Sequence, residues 1–268
     1  MLTFASICPH PPLIIPAIGQ NNLTQLQTTV NSLQKLNEKL LSDKPDTIVV
    51  ISPHYHKPSE HFIMNIAPRY LGSLKNFGDL ATGLEFAVNI ELAEAVNSLN
   101  NGRKKTFPLQ IINEEGVDYG LTIPLFYLTQ KLIGVKLLAL HPPISFNLQE
   151  IFSFGQLLKK ACQKTTQKIA LVASGDLSHT ISPDSPIGGT SPRTKEFDHA
   201  LIKFLKHKKI NEIMAIEKNL SEEAKECGLK PIMLLLGALY RVPYVPQVLS
   251  YEHPFGIRYL TMELTLKT

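Results

Sequence analysis

Thr47 to Ser52 reads Thr-Ile-Val-Val-Ile-Ser, a β-branched run with no polar alternation. Such a run suits a strand buried on both faces, which occurs where helices cover both sides of a sheet. Other segments repeat the theme. Leu2 to Cys8, Val135 to Leu140 and Lys168 to Ala173 are strand-like apolar runs, with His61 to Ile66 and Thr106 to Ile112 as further strands. Val245 to Ser250 and Arg258 to Leu266 close the chain as strands, the last with a period of two. Between these runs, Leu23, Leu26, Val30, Leu33, Leu36 and Leu40 recur every three or four residues, the period of an amphipathic helix. Glu91 to Leu99, Leu121 to Leu132, Leu148 to Cys162, Thr194 to Lys206 and Ile210 to Ile216 are read as helices, and Pro231 to Tyr240 as a buried one. The alternation predicts one α/β domain over residues 1–268, with helices on both faces of a sheet.

Two stretches break the rhythm. Pro183 to Pro192 is a loop rich in Pro, Gly and Ser, and Ala67 to Glu85 is a longer irregular segment of the kind that forms lids or binding loops. The basic clusters at Lys159 to Lys168 and Lys203 to Lys209 are read as solvated helix faces. The net charge of +4 is too small to mark a nucleic-acid binder. The N-terminus lacks a basic signal-peptide region, and no apolar run approaches the ~20 residues that span a bilayer. A cytoplasmic protein without nucleic-acid or membrane partners is expected. The three cysteines, Cys8, Cys162 and Cys227, form no CxxC pair, so neither a disulfide framework nor a zinc ribbon is expected.

The nine histidines remain to be explained. Leu2 to Cys8 leads to Pro9-His10, Thr47 to Ser52 to Pro53-His54, and Val135 to Leu140 to His141. Lys168 to Ala173 leads through Ser-Gly-Asp-Leu-Ser to His179, and Val245 to Ser250 to Tyr251-Glu252-His253. Ligands of open α/β sheets bind beyond the carboxyl ends of the strands, where parallel strands would gather these side chains. The prolines beside His10 and His54 fix φ and stiffen the backbone, which suits a preorganised metal site. His56, His61, His199 and His207 are read as ordinary surface residues. Two histidines alone leave zinc hydrolysis, non-haem Fe(II) chemistry and acid–base work open.

A third ligand is sought in Ser221 to Pro231. Ser221 with Glu222 and Glu223 reads as a helix start, Gly228 as its stop and Pro231 as the first residue of the next helix. Glu226 and Cys227 would then enter a buried helix, where a carboxylate needs a partner or a metal and the thiol could ionise. Glu252-His253 is the other source of a ligand or a substrate contact.

The set Ile-Cys-Pro-His10-Pro-Pro, Ser-Pro-His54, Ala-Ser-Gly-Asp176-Leu-Ser-His179, Cys227-Gly-Leu-Lys-Pro and Ser-Tyr-Glu252-His-Pro-Phe-Gly256 resembles the LigB-like family of class III extradiol ring-cleavage dioxygenases. It is most similar to the branch with the Memo-like proteins and protein B of the AmmeMemoRadiSam system. The motifs run from residue 7 to 256, nearly the whole chain. The resemblance implies a three-layer α/β/α sandwich around a mostly parallel or mixed central sheet, with one mononuclear site. It implies His10 and His54 as Fe(II) ligands and His179 as the acid–base catalyst. Asp176, three residues earlier, would orient His179, touch substrate or simply cap the Ser-Gly-Asp turn. The third ligand is Cys227 if the chain follows Memo-like members, or Glu226 if it follows the ring-cleaving ones. A catechol-type diol and O2 are the implied substrates, and a small partner subunit or a homo-oligomer the implied assembly. Asp118-Tyr119-Gly120 stands where members commonly show Asp-His-Gly, a departure that bears on catechol turnover. Tyr119, His141, Glu252 and His253 are the candidate substrate contacts. The expected function is a mononuclear Fe(II)-dependent extradiol dioxygenase-like oxidoreductase of aromatic compound catabolism. The alternatives are a Memo-like metal-binding protein with a redox or partner-binding role and no ring cleavage, or a hydrolase using zinc or another divalent metal.

Overall fold

Thr47–Ile51 is a strand with every residue buried, as its sequence predicts. A computed structural model describes residues 1–145, 147–182 and 189–267 of the chain. In chain order the elements begin with β1 (Leu2–Cys8), α1 (Pro16–Gly19), α2 (Gln27–Asp43), β2 (Thr47–Ile51), β3 (Phe62–Asn65), β4 (Arg69–Leu74) and β5 (Asp79–Ala87). They continue with α3 (Ile90–Asn101), β6 (Leu109–Ile112), β7 (Gly116–Val117), α4 (Tyr119–Leu128), β8 (Lys136–His141), α5 (Leu148–Gln163) and β9 (Ile169–Ser174). The last are α6 (Thr194–Lys206), α7 (Ile210–Met214), α8 (Lys218–Ala224), α9 (Leu229–Ala238), β10 (Tyr244–Glu252) and β11 (Tyr259–Leu266).

The main sheet has eight strands in the order β10-β11-β1-β9-β2-β8-β3-β6. Its centre, β1, β9, β2 and β8, is parallel. β11 runs antiparallel to β1 and to β10, and β3 antiparallel to β8, so the sheet is mixed. The four central strands therefore end on one edge. Their side chains alternate between two apolar clusters. Ile7, Val49, Ile51, Leu138, Leu140, Leu171 and Ala173 face the cluster formed with α3, α5 and α9. Phe4, Ile48, Val50, Leu137, Ala139, Ala170 and Val172 face the cluster formed with α2 and α4. This is a three-layer α/β/α arrangement. Among the described residues no helix is long and apolar enough to cross a membrane.

Three local readings are corrected. Ala67 to Glu85 is no irregular loop: β4 and β5 pair antiparallel and, with β7, form a second, three-stranded sheet. Its apolar positions, Tyr70 and Leu74, are buried against the α2–α4 layer. Ser221 lies inside α8 rather than at its start, and the helix ends at Lys225 in the left-handed region, φ 49°. Gly228 is the N-cap of α9, and Pro231 is its third residue. Within Pro183 to Pro192, residues 183–188 lie outside the described residues.

Helices α5 and α9 touch backbone to backbone. A Cβ on Gly237 would lie 2.1 Å from the Phe152 carbonyl oxygen, and one on Gly155 would lie 2.1 Å from that of Leu234. Each contact requires the absence of a side chain. Gly237→Ala should push the helices apart and lower stability by about 1–3 kcal/mol, the usual cost of overpacking. The urea midpoint should fall with an unchanged m-value.

Candidate metal centre

The carboxyl ends of β1, β2 and β9 build the site, with two helix-start segments closing it. His10 follows β1 and is buried, and His54 follows β2 and is partly buried. Cys227, in the α8–α9 connection, is brought to them by a contact of two glycines. A Cβ on Gly175 would lie 2.3 Å from the Gly228 Cα, so the turn after β9 and the start of α9 meet without side chains. The Asp176 carbonyl accepts from the backbone N–H of Cys227 (3.3 Å) and Gly228 (3.0 Å), and the Asp176 N–H donates to the Cys227 Sγ (3.2 Å). The ligand atoms of His10, His54 and Cys227 lie within 4.8 Å of one another. His10 Nε2 is 3.1 Å from His54 Nε2 and 3.6 Å from Cys227 Sγ.

The hydrogen-bond network fixes the state of His10. Ser174 Oγ lies 2.8 Å from His10 Nδ1 and 2.5 Å from the Gly120 carbonyl oxygen. A carbonyl only accepts, so the single hydroxyl proton goes to Gly120. Ser174 must then accept from His10 Nδ1–H, which leaves Nε2 with a free lone pair facing His54 and Cys227. A ring held through its outer nitrogen is the usual arrangement of a metal-binding histidine.

Burial, reinforced by the charge of His179, lowers the His10 pKa to about 3, and burial with His10 and His179 lowers that of His54 to about 3. Both imidazoles are neutral. Burial, then the charge of Asp176, raises the Cys227 thiol well above its ordinary value. The expected low-pKa thiolate at a helix start is therefore corrected for the metal-free protein: the amide that opens α9 is occupied by Glu226, and a desolvated thiol stays protonated. A bound cation reverses that balance. Two neutral imidazoles and a thiol around one point fit a soft or borderline divalent ion.

Asp176 is buried and its Oδ1 accepts from the His10 N–H (3.0 Å), with Oδ2 3.8 Å from His10 Nε2. His179 is buried on the same loop, and its N–H donates to the Ala224 carbonyl (2.8 Å). Tyr119 stacks on His54 at 4.7 Å and meets His10 edge-on at 5.4 Å. Its hydroxyl is 3.0 Å from His54 Nε2. His141 donates from Nδ1 to the Ser52 carbonyl (3.2 Å) and, with Tyr55, Asp118 and His54, lines a cavity of about 180 Å³.

Two expected carboxylates are occupied elsewhere. Glu226 accepts from Ser221 Oγ and from the Leu229 N–H, each at 2.6 Å, so it caps α9. Glu252 accepts from the Thr29 N–H (2.8 Å) and hydroxyl (2.6 Å), joining β10 to α2. His253 is exposed and pairs with Tyr251 at 6.4 Å. His56, His61, His199 and His207 are all exposed.

Residues 4–262 match the family described as the catalytic LigB subunit of aromatic ring-opening dioxygenase. The chain belongs to this family. The Clostridium acetobutylicum protein CA_C1420 is 26% identical over 269 residues, which is 96% of this chain and 56% of that protein. The chain thus spans about half the length of that curated relative. Among solved structures, uncharacterized protein JW3007 from Escherichia coli K12 shares the fold, with a TM-score of 0.69 at 20% identity over 98% of this chain and 99% of that one.

In this member of the ring-opening dioxygenase family, sequence reasoning missed the supporting serines. Ser52 donates to Asp118 Oδ1 (2.8 Å) and accepts from the His54 N–H (3.2 Å). Ser174 orients His10. Both end an apolar strand run just before a motif, and that position was the available signal. Ser174→Ala would leave His10 Nδ1 and the Gly120 carbonyl without this partner and should cost about 1–3 kcal/mol, read from thermal or urea unfolding.

The buried titrating groups also set a pH dependence. His10 and His54 (about 3) and His141 (about 4) are neutral in the folded protein around pH 5, burial being the main cause for each. Burial raises Asp118 to about 7 and Asp176 to about 6, so these two are largely protonated there. In the unfolded chain the three histidines are charged and the two aspartates ionised. For these five groups unfolding near pH 5 takes up about one proton net, so they make stability fall on acidification between roughly pH 6 and 4.5 by up to about 1.4 kcal/mol per unit, an effect that the burial-raised carboxyls of Glu226 and Asp198 oppose. His54→Gln removes one unfolded-state proton and should flatten that slope in urea titrations of the metal-free protein.

Proposed function

We propose that this chain is a mononuclear metal-dependent oxidoreductase whose metal is held by His10, His54 and Cys227. The observation that carries this reading is the convergence of their three donor atoms, with the lone pair of His10 fixed by Ser174. An ion bound there supplies a Lewis acid and, if it is iron or copper, a one-electron couple. The thiol in place of a carboxylate favours a thiolate-ligated redox centre over the two-histidine, one-carboxylate iron site of oxygenases. His179 and Asp176 act beside it as proton carriers. The charge of His179 lowers the proton affinity of His10 and favours the ionised form of Asp176.

A second reading rests on the cavity of His141, Tyr55 and Asp118 beside His54. It has the polar lining and the position to hold an aromatic diol, and would make the chain an Fe(II)-dependent ring-opening dioxygenase.

Metal analysis after anaerobic purification, then oxygen uptake with a catechol panel, tests both. One metal equivalent is expected, with a thiolate charge-transfer band that Cys227→Ser abolishes and O2 consumption that catechols do not stimulate. Catechol-dependent uptake by the iron form that yields a ring-opened product rather than a quinone would establish ring opening instead. His10→Ala should lose the metal, and full occupancy in that variant would refute the site. His179→Ala should keep one equivalent and lower turnover about 10²–10⁴-fold, the range of a lost acid–base group.

A further inference from the structure

Tyr119 stands closer to the His54 donor atom than a pocket wall needs to. Its hydroxyl is 3.0 Å from His54 Nε2, which is itself 3.1 Å from His10 Nε2. Two donors bound at about 2.0–2.1 Å from one ion are about 2.9–3.4 Å apart, the lower value at right angles and the upper at the tetrahedral angle. A nitrogen and a sulfur donor at about 2.1 and 2.3 Å are about 3.6 Å apart at that angle. The separations of Tyr119 from His54, His54 from His10 and His10 from Cys227 (3.6 Å) each have the length of one edge of a coordination shell, and His54 and Cys227 lie within 4.8 Å of one another.

The ring of Tyr119 is also held in place. It stacks on His54 with planes 25° apart, lies edge-on to His10, and takes the edge of Phe77 from the β4–β5 hairpin at 5.3 Å. Asp118 caps α4 by accepting from the Gly120 N–H (2.7 Å), which fixes the backbone on either side of Tyr119.

We propose that Tyr119 is the fourth protein ligand, giving a metal bound by two imidazoles, a thiolate and the Tyr119 oxygen. This rests on the assignment of His10, His54 and Cys227 above. On binding, the phenol oxygen–metal bond forms as the O–H bond breaks, and the proton leaves to buffer. Four protein ligands close the shell as in structural and electron-transfer sites, whereas catalytic sites keep a position open. A diol could then chelate through two oxygens only after Tyr119 is displaced. The favoured substrate is an electron donor or acceptor that reacts from outside the shell or through one atom.

The test uses the full chain loaded anaerobically with Fe(II), or with Cu(II) if iron is not retained, the iron form then being oxidised with ferricyanide. Resonance Raman spectra excited in the visible charge-transfer band should show tyrosinate ring vibrations in the wild type. Tyr119→Phe should still bind one equivalent and keep the thiolate band, lose those vibrations, and bind Zn(II) about tenfold or more weakly in chelator competition. A wild-type spectrum with the thiolate band but no tyrosinate vibrations overturns the proposal and leaves the three-ligand site standing. So does their persistence in Tyr119→Phe. A wild type that takes up no metal, or whose uptake survives His10→Ala, overturns the site and this inference together. If Tyr119→Phe does not fold, the wild-type spectrum alone decides.

Discussion

The hydroxyl of Ser174 has one proton, and much of the site follows from where it goes. Pro124 lies inside α4 and has no N–H to offer the carbonyl four residues back, that of Gly120. An unpaired buried carbonyl costs free energy, and the Ser174 hydroxyl satisfies it. With its proton committed, Ser174 can only accept from His10, so His10 carries its hydrogen on Nδ1 and turns a bare Nε2 toward His54 and Cys227. A proline on one helix thereby sets the tautomer of a histidine on another element. The bond also ties the end of β9 to the start of α4, the segment that carries Asp118 and Tyr119.

The loop after β9 needs an equally firm support because it carries Asp176 and His179 across the mouth of the site. Arg258 supplies it. Its backbone carbonyl accepts from Leu177, its N–H donates to the Ser178 carbonyl, and its guanidinium meets Asp198 at 2.6 Å with both groups buried. Asp198 in turn accepts from the Ser178 N–H at 3.1 Å. Burial raises the Asp198 pKa and the hydrogen bond from Arg258 opposes that rise. A buried ion pair adds little net stability over an apolar one, yet removing one partner strands the other charge. Its clear consequence here is geometric: loop residues 177 and 178, between Asp176 and His179, are hydrogen-bonded to Arg258 just before β11.

The frame was legible in the sequence for a simple reason. β2, β8 and β9 are buried on both faces, so their sequences carry uninterrupted apolar runs, and each ends where proline, serine or histidine appears. Parallel order then put His10, His54 and His141 on one edge. The β4–β5 hairpin was not legible because its outer strand alternates weakly and its glycines imitate a loop. Gly78, at φ 87°, closes the turn before β5. Glu252 looked like a ligand beside a histidine, but a carboxylate at a strand end also suits the N–H and hydroxyl of a neighbouring helix, and Thr29 provides both.

The hardest distinction lay between two adjacent residues. Glu226 and Cys227 both follow α8, and both are polar enough to bind a metal, so composition cannot choose between them. The choice is made by the backbone. Lys225 adopts φ 49° and ends α8, which leaves Glu226 positioned to accept from the Leu229 N–H as α9 begins. The next residue is turned toward β9 by the amides of Cys227 and Gly228, which share the Asp176 carbonyl. A side chain on Gly175 would break that approach. Whether a carboxylate or a thiol faces the histidines is thus decided by one left-handed residue and one contact between glycines. That step separates a hard oxygen donor from a soft sulfur one, and with it the redox behaviour such a centre can have.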